Sequence, residues 1–353
     1  MRIETLLPLG KVDPGLRQPE RALDLKTVGP QAQRVEALGY DAMMIEETKV
    51  DPYIVAGIAL SATAKLTVGS AVAIAFPRSP TVTAMSAWNL QHLSAGRFIL
   101  GLGSQVRGHI QRRYGFKWSA PGPWMREYVE AVKAVWNSWQ TRAPLDFRGE
   151  HYQLDLIVPL FDPGPIEHPN IPIHLAAVNA YMCQVAGEVA NGVRPHPVCS
   201  PAYIRDVMRP AVEKGAAIAG RSLEGFAISI KPLIATAKSE EKLVEKIRDV
   251  RARISFYAST PAYRAAFDHH GLGDLADDLK NYSKAQRWEE MPHLINDEVL
   301  DLFATIGTFD EIADKLHARY GEVVTNAEFS IPVDDKADEE TLAELVAMLQ
   351  SKS

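Results

Sequence analysis

Cysteine is scarce: the 353 residues hold two, Cys183 and Cys199. A pair so placed builds neither a disulfide framework nor a zinc spacing, and it points to a reducing cytoplasm. Long apolar runs are missing as well. The most hydrophobic stretches, residues 54–64 and 68–76, fall far short of the roughly 20 residues that a membrane-spanning helix requires. Met1-Arg2-Ile3-Glu4 meets an acid before any apolar run, unlike a secretory signal. Basic excess is absent too. The 38 Lys and Arg face 44 Asp and Glu, a net charge of −6, which argues against a general nucleic-acid binder. The remaining composition, 46% hydrophobic and 23% charged, is that of a folded globular chain. The expectation is a cytoplasmic protein that acts on a small molecule, with neither membrane nor nucleic acid as partner.

What the chain does contain is alternation. Short runs rich in β-branched residues at 3–7, 41–45, 66–75, 97–102, 171–177, 192–195, 226–235 and 327–331 alternate with helical patterns. Eight strands separated by helices favour parallel pairing through right-handed crossovers, and the count fits a closed (β/α)8 TIM barrel better than an open sheet. A helix over 31–38 ends at Gly39, where a left-handed cap is cheap only for glycine. Others are expected over 52–64 and 80–93. The clearest carries Met125, Tyr128, Val129, Val132, Val135, Trp136 and Trp139 at helical spacing, with Pro123 in its first turn. Residues 1–353 read as one α/β barrel domain with two insertions, a Pro- and Gly-rich loop at about 140–170 and a helical block at about 240–305. Thr308-x-x-Glu311 is a capping-box pattern.

Reactive groups in such a barrel belong at the C-terminal ends of strands. That rule selects Glu46-Glu47-Thr48, the stretch from Ala73 to Arg78, residues 104–109, the turn from Ala177 to Ala180, and Pro195-His196-Pro197. Two carboxylates directly after a buried strand are either a solvated strand end or acid/base groups. Gly101-Leu102-Gly103-Ser104-Gln105-Val106 fails as a dinucleotide fingerprint, because Val106 holds the last glycine position. Its glycines read instead as close approach of backbone to a flat ligand or to a neighbouring helix. Arg107, Arg112, Arg113 and Lys117 form a basic run without an acid. This is either a solvated helix face or a landing surface for an anionic ligand. The turn Val178-Asn179-Ala180 opens a helix whose free N–H groups suit phosphate. His269-His270 and the other histidines lack metal-ligand spacing, so no metal is expected.

At these residues a family resemblance emerges. Leu66-Thr67-Val68-Gly69-Ser70, then Pro80, then Leu93-Ser94-Ala95-Gly96-Arg97-Phe98 leading to Gly101-Leu102-Gly103 resembles the signature of the bacterial luciferase-like flavin and deazaflavin oxidoreductases. Ile171-Pro172-Ile173-His174-Leu175-Ala176-Ala177, followed by Ala186-Gly187-Glu188 and Asn191-Gly192-Val193, is similar to that superfamily's second hallmark. Glu47-Thr48-x-x-Asp51-Pro52, Gly103 through Ile110, and Phe256-Tyr257-Ala258-Ser259-Thr260-Pro261-x-Tyr263 look like the branch that uses coenzyme F-420, a 5-deazaflavin hydride carrier.

The resemblance implies roles residue by residue. Ser70-Ala71 matches the bulge that backs the isoalloxazine ring. Ser104, Gln105, Val106 and His109 match the loop along the ring and ribityl chain, and Val178, Asn179 and Ala180 match the phosphate turn. Glu47 matches an acidic position, whereas Thr48 and Val106 stand where histidine and glutamate are usual. The activity implied is that of an F-420-dependent oxidoreductase, a homodimer, that transfers hydride between the deazaflavin and a small organic substrate. Glu47 would move the proton, with Thr48, His109 and Tyr257 as hydrogen-bonding groups in the cleft. Two other readings stand beside it: an FMN-dependent monooxygenase acting with reduced flavin and oxygen, and a non-catalytic flavin-binding protein.

Overall fold

Eight parallel strands close into a barrel in which each strand pairs with its neighbours in chain order. They are β1 (Arg2–Leu6), β2 (Ala42–Ile45), β3 (Thr67–Ser70, continuing as Ala73–Ile74), β4 (Phe98–Gly103), β5 (Ile173–Ala177), β6 (Gly192–Pro195), β7 (Ala227–Ile230) and β8 (Asn326–Glu328). The coordinates are a computed structural model that describes residues 1–10 and 22–351; the rest of the expected 1–353 domain lies outside the described residues. Helices cover the barrel, as a parallel sheet buried on both faces requires.

Local chemistry explains the helices. Asp51 accepts from the Tyr53 and Ile54 N–H groups to cap Pro52–Ala62, and Ser79 caps Pro80–Leu93 through Val82. Both helices start on proline, whose missing N–H would have been unpaired there anyway. The helix read from 31–38 runs Val28–Ala37, and Gly39 behind it sits at φ 84°. Pro121–Thr141 buries the predicted stripe, with Trp136 stacked on Trp88 at 6.4 Å. Arg97 explains part of the Leu93–Phe98 motif: its guanidinium donates to the carbonyls of Leu60, Thr63 and Leu66, tying the start of β4 to the preceding βα unit. In the loop insertion, Phe147–Arg148 and Gln153–Leu154 pair as a short antiparallel hairpin. The Thr308–Glu311 capping box forms.

Three expectations need correction. The long strand over 66–75 breaks after Ser70, at a cis Ala71–Val72 peptide, and resumes at Ala73. The bulge therefore lies one residue beyond Ser70-Ala71. Ser70 itself stays in register with Ile45 and donates its hydroxyl to the Gly101 carbonyl at 2.7 Å. The purpose of the two glycines on β4 also changes. A Cβ on Gly101 would stand 1.8 Å from the Ser70 carbonyl oxygen, and one on Gly103 would stand 2.5 Å from Val72. They admit the neighbouring strand and its bulge rather than a helix, and Gly103 also lines the cavity.

Finally, the strand over 226–235 is two strands. After β7 the chain passes Lys231-Pro232, where proline cannot donate to a ladder. It then forms Leu233–Ala237, which pairs outside the barrel with Ala304–Thr308. The latter strand ends the helical block and was not anticipated. Among the described residues no helix is long and apolar enough to cross a membrane.

Candidate active site

Beyond the C-terminal ends of the strands lies a cavity of about 760 Å³. On the β2–β5 side its wall includes Glu47, Thr48, Ala71, Val72, Ser104, Gln105, Val106, Ala177, Val178 and Asn179. Glu47 is firmly engaged. Its Oε2 accepts from the Ile74 N–H and from Arg78 Nη1, each at 2.7 Å, and its Oε1 accepts from Arg78 Nη2 at 3.0 Å. Arg78 also donates to Asp51 at 3.0 Å and lies over the Tyr53 ring. This carboxylate thus fastens the strand that resumes after the bulge to the end of β2, and both its oxygens have partners. Asn179 is extended, at φ −87°, and its amide oxygen accepts from the Met182 N–H at 2.9 Å, capping Ala180–Val189. The N–H groups ahead of Met182 belong to the same helix start, where anions are favoured.

The opposite side comes from β6–β8 and the helical block. His196 is stacked on Tyr263 at 3.9 Å between ring centroids and meets Tyr257 edge-on at 4.6 Å. Burial, reinforced by the Lys231 charge, pushes its pKa down to about 3, so the ring is neutral at pH 7. Its Nδ1 accepts from the Val198 N–H at 3.4 Å, which leaves the proton on Nε2 as a donor. Lys231 bridges Glu46 at 3.1 Å and Glu328 at 3.6 Å. Deeper, within the strands themselves, Arg194 of β6 pairs with the fully buried Glu4 of β1 at 2.7 Å, and Glu4 also accepts from Asn326 at 2.7 Å. Burial alone would raise the Glu4 pKa, but Arg194 and Asn326 outweigh it and hold the carboxyl below its usual range.

The sequence and the barrel are matched by known proteins. A family profile described as luciferase-like monooxygenase fits residues 1–326. The chain belongs to that family. An uncharacterized protein of Mycobacterium tuberculosis is 39% identical over 293 residues, covering 83% of this chain and 86% of the relative. The 5,10-methylenetetrahydromethanopterin reductase of Archaeoglobus fulgidus is 25% identical over 278 residues, covering 77% and 78%. The solved coenzyme F-420-dependent tetrahydromethanopterin reductase of Methanopyrus kandleri shares the fold, with a TM-score of 0.74, 19% identity, and 99% and 98% of the two chains covered.

Measured against the family resemblance, most of the sequence-derived residues gather at one cavity. Ser70 and Ala73 are buried in the strand beside it, and Ala180 follows the turn that lines it. His109 is the exception. It lies on the exposed face of the helix Arg107–Arg112 and is not part of the cavity wall. Tyr263, at the end of the 256–263 motif, also lines the cavity, and Arg194, Ser229, Lys231 and Glu328 line it without having been singled out. For the first of them a signal existed: Glu4 and Arg194 are opposite charges inside strands read as buried, and such charges need each other. The basic run sits at the lip. Arg107 lines the cavity, and Arg113 donates to the Thr48 carbonyl at 3.4 Å. Among the described residues no carboxylate forms an ion pair with Arg107, Arg112, Arg113 or Lys117.

Proposed function

We propose that the protein is an F-420-dependent oxidoreductase that transfers hydride between the deazaflavin and a small organic substrate. The observation that carries this reading is the unpaired cationic run at the cavity lip. F-420 ends in an acidic polyglutamate tail, which four fixed cations attract, whereas FMN ends at a single phosphate. The relatives that act on tetrahydromethanopterin derivatives support it.

The residues present fit such a cofactor. Ala71 and Val72 offer a small, side-chain-poor wall for a flat ring, and Gly103 beside them adds no bulk. Ser104, Gln105 and Val106 would follow the ring and its polyol chain, Ala177, Val178 and Asn179 would hold the phosphate, and Arg107, Arg112 and Arg113 would meet the tail. When bound, the deazaflavin supplies a two-electron hydride carrier. The chain's own contribution is positioning, worth several kcal/mol of barrier where reacting atoms are held close, and exclusion of water by the helical block. Glu47 would hold the ring wall in place. Neutral His196 and the Tyr257 hydroxyl would hydrogen-bond the substrate, with Thr48 at the edge.

The FMN-dependent monooxygenase reading uses the same wall and the same phosphate turn; the lip is what separates them. The test is the affinity of wild-type protein for long-tailed F-420 and for a tail-less deazaflavin at two salt concentrations. Affinity for the long-tailed form should fall with salt, since screening over about 8 Å at physiological ionic strength weakens exposed charge contacts, and the tail-less form should change little. Identical salt slopes would remove the support for F-420.

A further inference from the structure

Two polar groups in the cavity wall have no partner among the described residues. Arg194 is 8% exposed and Ser229 1% exposed, yet Arg194 Nη1 and Ser229 Oγ are both buried without a hydrogen bond. They are neighbours: β6 and β7 pair with Gly192 opposite Ala227 and Val193 opposite Ile228, so the next step of the register sets Arg194 beside Ser229. Both line the cavity, from inside the strands rather than from the loops above them. A buried donor left unpaired is costly, more so on a charged group.

Resting on the oxidoreductase reading above, we propose that Arg194 and Ser229 form a subsite for the carbonyl oxygen of a neutral substrate. The guanidinium keeps the two N–H groups of Nη1 free after Glu4 has taken Nη2, and the hydroxyl supplies a further donor. Charge balance selects a neutral ligand. Three carboxylates, Glu4, Glu46 and Glu328, already engage Arg194 and Lys231 on this side of the cavity, and burial keeps His174 neutral by pushing its pKa down to about 4. A further anion would be repelled, whereas a ketone or amide oxygen would not. In the eight-strand ring β7, with Ser229, stands opposite the bulge of β3, and β6, with Arg194, is three strands from it although it neighbours β5, so the oxygen is assigned to the substrate rather than to a ring lying on the bulge.

The experiment compares wild type, Ser229→Ala and Arg194→Lys, the last of which keeps a charge opposite Glu4. Cyclohexanone and methylenecyclohexane, which differ in shape little but in the acceptor oxygen, are titrated by ligand-observed NMR, and F-420 and FMN by tryptophan fluorescence. One hydrogen bond corresponds to about a three- to ten-fold change. Cyclohexanone should bind wild type more tightly than the hydrocarbon and weaken by that factor in both variants, with the hydrocarbon and cofactors unchanged. Weakened cofactor binding with cyclohexanone unchanged would overturn the assignment to substrate and give the donors to the ring's own carbonyl. Ketone and hydrocarbon binding wild type alike, or unchanged affinities throughout, would overturn the subsite. Thermal unfolding adds an independent readout. Deleting an unpartnered hydroxyl leaves Tm unchanged or raises it, and a drop of several degrees in Ser229→Ala would mean that the hydroxyl already has a partner. Wild type that binds neither cofactor would defeat the oxidoreductase reading, while the cyclohexanone comparison would still be read on the cofactor-free protein.

Discussion

Replacing Glu47 by glutamine keeps the size of the side chain but turns one of its two acceptor heads into a donor. In the native arrangement those heads accept three hydrogen bonds, two from Arg78 and one from the Ile74 N–H. The side chains are only 10% and 18% exposed, so solvent screens the pair little. Hydrogen bonds to charged groups contribute about 1.5–3 kcal/mol each. The glutamine retains part of the set, and Asp51 continues to hold Arg78 at 3.0 Å, which leaves a net loss of about 2 kcal/mol. For a chain of 353 residues that corresponds to a Tm lower by about 3 °C. The same bonds hold the strand segment that follows Ala71 and Val72, so cofactor affinity should fall as well, by about ten-fold if about 1.4 kcal/mol of the loss reaches the ring wall. Thermal unfolding and fluorescence titration, with Trp118 in the cavity wall as reporter, measure both. A proton carrier behaves differently: its loss lowers turnover by about 10²–10⁴-fold and need not touch stability or affinity. Wild-type Tm and affinity combined with such a turnover defect in Glu47→Gln would refute the clamp and restore Glu47 as the acid/base group.

The same geometry has other consequences. Gly101→Ala should destabilise by about 3 kcal/mol or prevent folding, because its Cβ would stand 1.8 Å from the Ser70 carbonyl oxygen; Gly108→Ala, with nothing within 4 Å in a helix, should be neutral or mildly stabilising by circular-dichroism melts. Acid should destabilise the fold early. Burial lowers the pKa of His174 to about 4 and of His196 to about 3, so the stability they contribute is present above the unfolded value of about 6.5 and is lost as pH falls. Between pH 6.5 and 5 each should cost about 2 kcal/mol, and a Tm that stays flat over that window would contradict their burial as neutral rings. Arg112→Glu with Arg113→Glu should weaken long-tailed F-420 and spare a tail-less deazaflavin in binding titrations; equal losses for the two ligands would point to a damaged fold, and no loss to a merely solvated run.

The barrel was legible because strand and helix patterns alternate and several helices announce themselves by a cap, as Asp51-Pro52 and Ser79-Pro80 do. The β2–β5 half of the site was legible for a related reason: each contributing segment, such as Glu46-Glu47-Thr48, is contiguous and comes directly after a recognisable strand. The other half was legible only in part, through His196 and the motif that holds Tyr257 and Tyr263. Arg194, Ser229, Lys231 and Glu328 come singly from three strands and the loop after β7, and only closure of the barrel brings them together. The break near Ala71 was expected only through the family resemblance, because its cause is tertiary: it is made possible by glycines some thirty residues away on β4. Leu233–Ala237 was merged with β7 because both are apolar and β-branched, and Pro232 was the available sign that they are separate. His109 was drawn toward the cleft by its motif, but the helix that starts at Arg107 turns it to solvent.

The most direct test of the account is a side-by-side titration of the purified wild-type protein with F-420 and with FMN at moderate salt, followed by tryptophan fluorescence. Trp118 in the cavity wall should report occupancy by either ring. The account predicts tighter binding of F-420, with the advantage shrinking as salt rises. FMN binding as tightly as F-420 or more tightly would contradict it and leave the flavin-dependent monooxygenase as the better description of this site.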